Sequence, residues 1–327
     1  MNSFFKKLNF GLHLDPKIEK RLDGGKYIPE GKETVLIIYA DFELGWAWRY
    51  AKNEHGGVEK AAEKGLKERN NMPVILDLCS EHNIPITWAT IGHLFLESCS
   101  RNASMAHEGI RRAEYFENEF WKYSKGDWFD ADPCTDYKKN PEWYCPDLIR
   151  KIMESGVKHE IGCHTFSHID CTDRFCPPDV FDSEIAECKS AASSYGIELK
   201  SFVHPAHTIG NLDGLIKNGF PSYRTDYNNI LGYPDKYKNS LWQLKSTWEF
   251  VLFKEWSRKY HVYRYCEIIR RAIKSRTVCV LWFHPSMDIR FFETIFPDVC
   301  KYINDNRDKI WMTTATEYVN FLEGRGI

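Results

Sequence analysis

The apolar positions of this chain fall into short runs that are separated by longer stretches with helical spacing. Residues 35–46 (VLIIYADFELGW) begin as a continuous β-branched run, which is typical of a strand buried on both faces. A helical pattern follows from Gly57 to Glu81 and is interrupted near Pro73, and Ile86–Thr90 is the next short apolar run. Strand and helix therefore alternate from the start of the patterned region.

The same alternation resumes after residue 147 and continues to the end of the chain. The predicted strands are Lys158–Gly162, a strand ending at His204, Ser222–Thr225, a segment at 241–253, Thr277–Phe283 and Ile310–Thr313. The predicted helices in this part are Asp147–Ser155, Asp179–Tyr195, Leu212–Asn218, Tyr260–Lys274, one near Phe292–Asn306 and Thr316–Glu323, in addition to Ile75–His82 earlier in the chain. Strand then helix, repeated about seven times, predicts a parallel sheet or barrel with helices outside it.

Two segments fall outside this pattern. Residues 1–32 are polar and broken by glycine and proline, so we interpret them as an N-terminal lead-in to a single domain at 33–325. Residues 98–147 are rich in aromatic, charged and asparagine residues without a clear apolar period, which indicates an insertion over one rim of the domain. A substrate lid and a plain surface excursion both fit this insertion.

Composition and charge exclude some classes of partner. The net charge is −2 and the chain has no basic block, which argues against nucleic acid as a main partner. No run approaches the roughly eighteen apolar residues of a membrane span, and the first residues lack the apolar stretch of a secretory signal. We therefore expect a cytoplasmic protein. Its 11 tryptophans and 17 tyrosines include the residue types that line sugar-binding clefts.

The 11 cysteines form no Cys-x-x-Cys pair. The densest group is Cys134, Cys145, Cys163, Cys171 and Cys176, whose spacings match none of the usual zinc patterns. A structural zinc cluster there stays conceivable, but reduced thiols are the favoured interpretation for a cytosolic chain.

Four polar residues share one position relative to the predicted strands. Asp41, His164, His204 and His284 each lie at or just past the end of a strand. In parallel α/β folds the chemistry collects at the carboxyl ends of the strands, so these side chains are expected to meet.

His164 and His168 form a candidate pair of metal ligands. Their i, i+4 spacing predicts side chains on the same face of one helical turn, roughly 5–6 Å apart at Cβ. Two neutral imidazoles so placed can bind one divalent ion such as zinc. Such a pair alone is a weak signal in a chain with 12 histidines.

Five motifs occur in an order typical of one family. They are YADFE (39–43), HTFSH (164–168) within GVKHEIGCHTFSHID, VHPAH (203–207), GFPSYRTD (219–226) and VLWFHPS (280–286). By these motifs the chain resembles the NodB-homology polysaccharide deacetylases, carbohydrate esterase family four, from about Thr34 to Leu322 with the insertion outside the likeness.

The resemblance implies a deformed (β/α)7-type barrel and a set of roles. His164 and His168 would bind a divalent metal, zinc being the one expected, together with an acidic side chain of the first motif. Asp41 would be the general base and His284 the general acid, for which we name Asp226 as the candidate carboxylate partner. The expected substrate contacts are His204, Trp46 and Trp282.

Two departures from the family pattern matter. Phe42 separates Asp41 from Glu43, where the common motif has adjacent aspartates; in extended chain the two carboxylates still point to one side. We assign Asp41 as base and Glu43 as metal ligand, although the roles could be exchanged. His204 stands where the family has an arginine that helps to hold the base, which leaves open what orients Asp41.

The resemblance implies a metal-dependent hydrolase that removes an N-acyl group, N-acetyl first, from an amino sugar. A cytoplasmic member would act on a soluble or lipid-linked precursor of surface polysaccharide. Two alternatives stay open, a hydrolase of another C–N bond such as a ureide or cyclic amide, and a non-catalytic carbohydrate-binding protein. A glycosidase built on Asp41 and Glu43 is disfavoured, because neighbours two apart on a strand cannot readily flank a sugar ring from opposite faces.

Overall fold

The computed structural model describes residues 15–52, 56–102, 105–227 and 229–327, except for the side chains of 226 and 227. Its strands are β1 Lys17–Ile18, β2 Thr34–Phe42, β3 Thr87–Thr90, β4 Arg101–Asn102, β5 Met105–Ala106, β6 Phe116–Glu117, β7 Lys122–Tyr123, β8 Glu160–Cys163, β9 Ser201–Val203, β10 Ser222–Tyr227, β11 Ile230–Leu231, β12 Asp235–Tyr237, β13 Leu241–Ser246, β14 Trp248–Glu249, β15 Val278–Phe283 and β16 Ile310–Thr313. Its α-helices are α1 Val58–His82, α2 Pro146–Glu154, α3 Pro178–Ser193, α4 Leu212–Lys217, α5 Arg258–Ser275, α6 Ile289–Thr294, α7 Phe296–Asp305 and α8 Ala315–Gly324.

One large sheet organises the domain, in the order β12-β13-β10-β9-β8-β3-β2-β15-β14. All neighbouring pairs along it are parallel except β12 with β13. The first half of β2 also pairs with β16, in the register Thr34 to Ile310. Parallel strands joined through helices are what the alternating sequence pattern predicted.

Strand β13, next to one end of this sheet, is linked to β14, at the other end, through a single residue. Strand β13 pairs with β10, and β14 pairs with β15 on the other side of β2. Only Thr247 separates β13 from β14, and its backbone N–H donates to the carbonyl oxygen of Val280 at 2.7 Å. The parallel strands therefore wrap round as a deformed (β/α)7-type barrel, which confirms the predicted fold class.

Strand β2 is buried along its whole length because both of its faces are covered. Leu36, Ile38 and Ala40 pack in the larger apolar cluster, whereas Val35 and Ile37 pack in a second cluster with side chains of the neighbouring strands. This alternation explains why the sequence shows a continuous apolar run rather than a polar face.

Two helix boundaries differ from the prediction. Helix α1 runs through Pro73 without a break, because Met72, Ile75 and Leu76 keep its buried stripe continuous on both sides of the proline. The predicted helix near Phe292–Asn306 is two helices, α6 and α7, since Pro297 lies in the first turn of α7, where proline is favoured.

The two irregular segments are both attached to the domain. Within the lead-in, β1 pairs with β11, while residues 1–14 lie outside the described ranges. The insertion forms two small ribbons, β4 with β5 and β6 with β7, and several of its aromatic side chains, among them Trp121, Trp128 and Trp143, are buried in the larger apolar cluster. Within the described ranges, no helix has the length and apolarity needed to cross a membrane.

A glycine in α1 allows the insertion to pack closely on the barrel. A Cβ atom at Gly65 would lie 2.5 Å from the carbonyl oxygen of Glu142 and 2.8 Å from the backbone nitrogen of Gly45. We predict that Gly65→Ala lowers the free energy of unfolding by about 1–3 kcal/mol, although alanine normally stabilises a helix relative to glycine. Urea denaturation measures the change.

Gly156→Ala is the matched control, because a Cβ atom there would meet nothing within 4 Å. It should leave the unfolding midpoint nearly unchanged. If Gly65→Ala proved as stable as the unsubstituted protein, the close approach of α1 to these two backbone segments would be refuted.

Candidate active site

Two carboxylates, those of Asp41 and Glu43, lie at the carboxyl end of the barrel because of the geometry of β2. Asp41 continues the face of β2 that carries Val35 and Ile37, and Glu43 follows it after one intervening residue. Glu68 from α1 accepts the backbone N–H of Glu43 at 2.9 Å and so fixes the chain where it leaves the strand. Burial, aided by the charge of Glu43, raises the pKa of Glu68 to about 8.

Glu43 lies between the two histidines of the second motif. Its Oε1 atom is 2.9 Å from His164 Nε2 and 3.1 Å from His168 Nε2, and all three side chains are buried. The donor atoms lie within 4.8 Å of one another, so they could hold one metal ion. Burial lowers the pKa of His168 to about 4, and its ring is therefore neutral and able to act as a ligand.

The hydrogen bonding of His164 indicates which of its nitrogens faces Glu43 with a lone pair. His164 Nδ1 is 2.8 Å from the carbonyl oxygen of Val203. A carbonyl only accepts, so Nδ1 carries a proton, and in the neutral ring the lone pair of Nε2 then faces the carboxylate. Two acceptors at this distance need a second ring proton or a cation between them, and a bound dication would supply the latter. The chemistry and placement of these three residues therefore fit a divalent metal.

The backbone of the histidine motif is not the helical turn that the spacing predicted. Thr165 and His168 have φ values of 60° and 61°, outside the right-handed helical region. Glu184 holds the loop by accepting from the Ser167 hydroxyl at 2.6 Å and from the Ser167 backbone N–H at 2.8 Å. The rings of His164 and His168 still converge, with centroids 5.0 Å apart, because the loop folds back on itself.

Arg224 orients Asp41. Its two terminal nitrogens each donate to one Asp41 oxygen, both at 2.6 Å, and both side chains are buried. Burial raises the pKa of Asp41, but the Arg224 charge outweighs it and leaves the pKa below its usual value. Asp41 is therefore ionised at neutral pH.

Sequence reasoning missed Arg224, although it stands within the quoted motif GFPSYRTD. His204, which replaces the family arginine, does not take over its role: its Nε2 atom is 2.9 Å from the carbonyl oxygen of Gly210. Burial lowers the pKa of His204 to about 3, so it stays neutral. From the sequence, Arg224 could have been found only by its position as a basic residue near the end of a predicted strand.

His284 lies on the other side of Glu43. Its Nδ1 atom is 3.2 Å from Glu249 Oε1, and its Nε2 atom is 3.8 Å from Glu43 Oε2. Burial lowers the pKa of His284, but the carboxylates of Glu43 and Glu249 raise it to about 10, so the ring is an imidazolium at neutral pH. Sequence reasoning missed Glu249 and placed Asp226 beside His284; the side chain of Asp226 lies outside the described residues.

A cavity of about 250 Å³ opens onto these groups. It is lined by Asp41, Glu43, Ala47, Trp48, Ala51, Lys52, Glu119, Phe120, Trp121, His168, His204, Ala206, His207 and His284. Part of the insertion thus forms one wall, and the Trp121 ring lies 4.8 Å from that of His168.

Two of the predicted substrate contacts, Trp46 and Trp282, are not among the residues that line the cavity. Trp46 is fully buried, and its Nε1 atom donates to the carbonyl oxygen of Trp143 at 3.1 Å. Trp282 is also buried, with the Arg224 guanidinium 4.6 Å from its ring centroid. Leu44 has a φ of 48°, which breaks the strand alternation, and Trp48 reaches the cavity instead of Trp46.

Comparison with known proteins finds one family model that matches part of the chain. Residues 62–211 match the family model "Polysaccharide deacetylase". No curated protein matches the chain.

Solved structures show the same fold at low sequence identity. A protein from Mycobacterium smegmatis described as a polysaccharide deacetylase has a TM-score of 0.60 and 13% identity, covering 92% of this chain and 93% of its own. A protein from Pseudomonas aeruginosa PAO1 that is described in the same way has a TM-score of 0.60 and 12% identity, and the match covers 93% of this chain and 98% of that protein's chain. Puue allantoinase has a TM-score of 0.61 and 11% identity, and the match covers 91% of this chain and 93% of the allantoinase chain. The chain is thus similar to polysaccharide deacetylases over residues 62–211, and it shares the fold of these solved structures.

Proposed function

We propose that this protein is a metal-dependent hydrolase that removes an N-acyl group, N-acetyl first, from an amino sugar. The observation that carries the proposal is the meeting of Glu43, His164 and His168 around one point, beside Asp41 and His284 at a single cavity. A metal site with adjacent acid and base groups is what amide hydrolysis needs.

Glu43, His164 and His168 would hold the ion. When bound, a divalent metal supplies positive charge that polarises an amide carbonyl and lowers the pKa of water. Glu43 suits the ligand role better than Asp41, because both oxygens of Asp41 are engaged by Arg224 at 2.6 Å. Two neutral nitrogens and one carboxylate leave room for water and substrate at a zinc ion, as catalytic sites require.

Asp41 is the group proposed to accept a proton from the attacking water. It lines the cavity, it is ionised at neutral pH, and Arg224 fixes the direction of both its oxygens. A base held in one orientation spends little free energy on reorganisation during the reaction.

His284 is the group proposed to protonate the departing amine. An amine leaves readily only when protonated, and an imidazolium stabilised by Glu249 can supply that proton. His284 lines the same cavity as Asp41, so acid and base can reach one bound substrate.

The cavity supports a small amino sugar, or one sugar unit of a larger molecule, as substrate. Trp48, Phe120 and Trp121 supply flat apolar faces next to the charged groups, a combination suited to a sugar ring. The cavity volume of about 250 Å³ lies just below the usual range for ligand sites, which begins at about 300 Å³. A soluble or lipid-linked N-acetyl sugar precursor is the substrate we propose to test first.

The decisive experiment measures acetate release from free and nucleotide-linked N-acetylhexosamines by the purified protein. We expect turnover that is lost after chelation and restored by zinc. Release of ammonia or a ring-opened product from allantoin, without acetate release, would instead assign the site to another C–N bond. Sugar binding without any turnover would support the non-catalytic alternative and contradict the proposal.

Substituting the two carboxylates separately tests their roles. We predict that Asp41→Asn keeps the bound metal but lowers kcat by about 10²–10⁴-fold, because only the base is lost. Glu43→Gln should lose most of the metal, since its carboxylate is a ligand. Metal content and kcat are measured on the same preparations, with circular dichroism as the control for folding. Metal loss in Asp41→Asn but not in Glu43→Gln would show that Asp41 is the metal ligand and Glu43 the base.

The pH dependence of the reaction tests the partner of His284. Because Glu249 raises the pKa of His284, activity should persist into alkaline pH and fall as the imidazolium loses its proton. We predict that Glu249→Gln moves this alkaline limb to lower pH by about one unit, since a carboxylate next to histidine favours its charged form. An unchanged alkaline limb in the variant's kcat profile would show that His284 is not the acid.

A further inference from the structure

A second group of metal-ligand side chains lies outside the cavity. The donor atoms of His93, Cys99, His107 and Asp132 all lie within 4.8 Å of one another. The side chains of His93 and Asp132 are 0% exposed, and that of His107 is 8% exposed. His93 follows β3, in the 3-10 turn Gly92–Phe95, whereas the other three belong to the insertion.

One carboxylate oxygen is the centre of this group. Asp132 Oδ2 is 3.0 Å from His93 Nε2, 2.8 Å from His107 Nε2 and 3.3 Å from Cys99 Sγ. Ligands of a tetrahedral zinc ion are about 3.3–3.6 Å apart, given bond lengths near 2.0–2.3 Å. Movements of about half an ångström would therefore admit an ion. Glu43, His164 and His168 show the same spacing, at 2.9 and 3.1 Å.

The hydrogen bonding of His93 repeats that of His164. His93 Nδ1 is 3.3 Å from the carbonyl oxygen of Trp143, which can only accept. With its proton on Nδ1, a neutral His93 ring points the lone pair of Nε2 at the Asp132 carboxylate. A positive charge must lie between these two acceptors, and it is either a second proton on the ring or a metal ion.

The surroundings of Asp132 leave one of its oxygens for this role. Oδ1 accepts from the Tyr144 hydroxyl and from the backbone N–H of Cys134, both at 2.9 Å. Oδ2 is left to the two imidazoles and the Cys99 thiol. Such outer hydrogen bonds to ligating carboxylates and histidines are a regular part of metal sites, where they fix ligand orientation.

We propose that His93, Cys99, His107 and Asp132 bind one structural zinc ion that fastens the insertion to the barrel. Thiolate and imidazole donors favour zinc over calcium or magnesium. A dication with one thiolate and one carboxylate has no net charge, which suits a buried position. Four protein ligands complete a tetrahedral shell, which is typical of structural rather than catalytic zinc.

The ion would also define the shape of the catalytic cavity. Glu119, Phe120 and Trp121, which form the insertion's wall of that cavity, lie between His107 and Asp132 in the sequence. The proposed ion therefore holds the chain on both sides of the wall. The five cysteines that are densest along the sequence, from Cys134 to Cys176, are not among these ligands.

Cobalt substitution tests this site separately from the catalytic one. The reduced protein is stripped of metal with a chelator and reloaded with Co²⁺. Only a site with a thiolate ligand gives sulfur-to-cobalt charge-transfer absorption in the near ultraviolet, and the set Glu43, His164 and His168 has none. We expect two ions per chain and a clear charge-transfer band in the unsubstituted protein.

Variants assign the band to its ligand. Cys99→Ala should remove the band and one ion, whereas Cys266→Ala, which also truncates a half-buried cysteine, should keep both. The double variant His164→Ala/His168→Ala should lose one ion and keep the band. This readout does not depend on turnover, so it stands even if the proposed activity fails.

The spectrum of the unsubstituted protein can overturn the proposal without any variant, so misfolding of Cys99→Ala would not obscure the answer. A single ion per chain with no charge-transfer band would show that protons alone hold the four side chains together. A band that survives in Cys99→Ala would place the thiolate ligand elsewhere.

Discussion

A buried carboxylate that faces two imidazoles needs either a proton on the facing ring nitrogens or a cation between the three groups. Glu43 is in this position towards His164 and His168, at 2.9 and 3.1 Å. The three residues come from segments more than a hundred residues apart, so the fold must bring those segments together before any ion can bind. The catalytic account depends on this one electrostatic requirement.

The barrel meets the requirement through strand order and side-chain alternation. Strand β3 lies between β2 and β8, so the carboxylates at the carboxyl end of β2 and the histidines that follow β8 face each other across one strand. The buried ion pair of Asp41 and Arg224 then ties β2 to β10 across the same end. Removing one partner of such a pair leaves an uncompensated buried charge, which typically costs about 3–5 kcal/mol. The same contact therefore serves both the stability of the barrel and the direction of the base.

The features that could be predicted from the sequence are those set by local pattern. Continuous apolar runs gave the parallel strands, and polar residues at their ends marked where Asp41, His164 and His284 would meet. Arg224 and Glu249 could not be paired with their partners in advance, because the contacts depend on how separate strands are aligned. The helical turn expected at His164–His168 was wrong because Ser167 donates two hydrogen bonds to Glu184, which is distant in sequence, and these hold the loop in another conformation. Trp46 and Trp48 differ in burial because of one positive φ angle at Leu44, which no periodicity reveals.

Anomalous diffraction at the zinc absorption edge, from crystals of the metal-loaded protein, tests the central claim most directly. The account predicts a peak within bonding distance of Glu43, His164 and His168 together. A fully loaded crystal with no peak at that point, or with these side chains too far apart to share one ion, would contradict it.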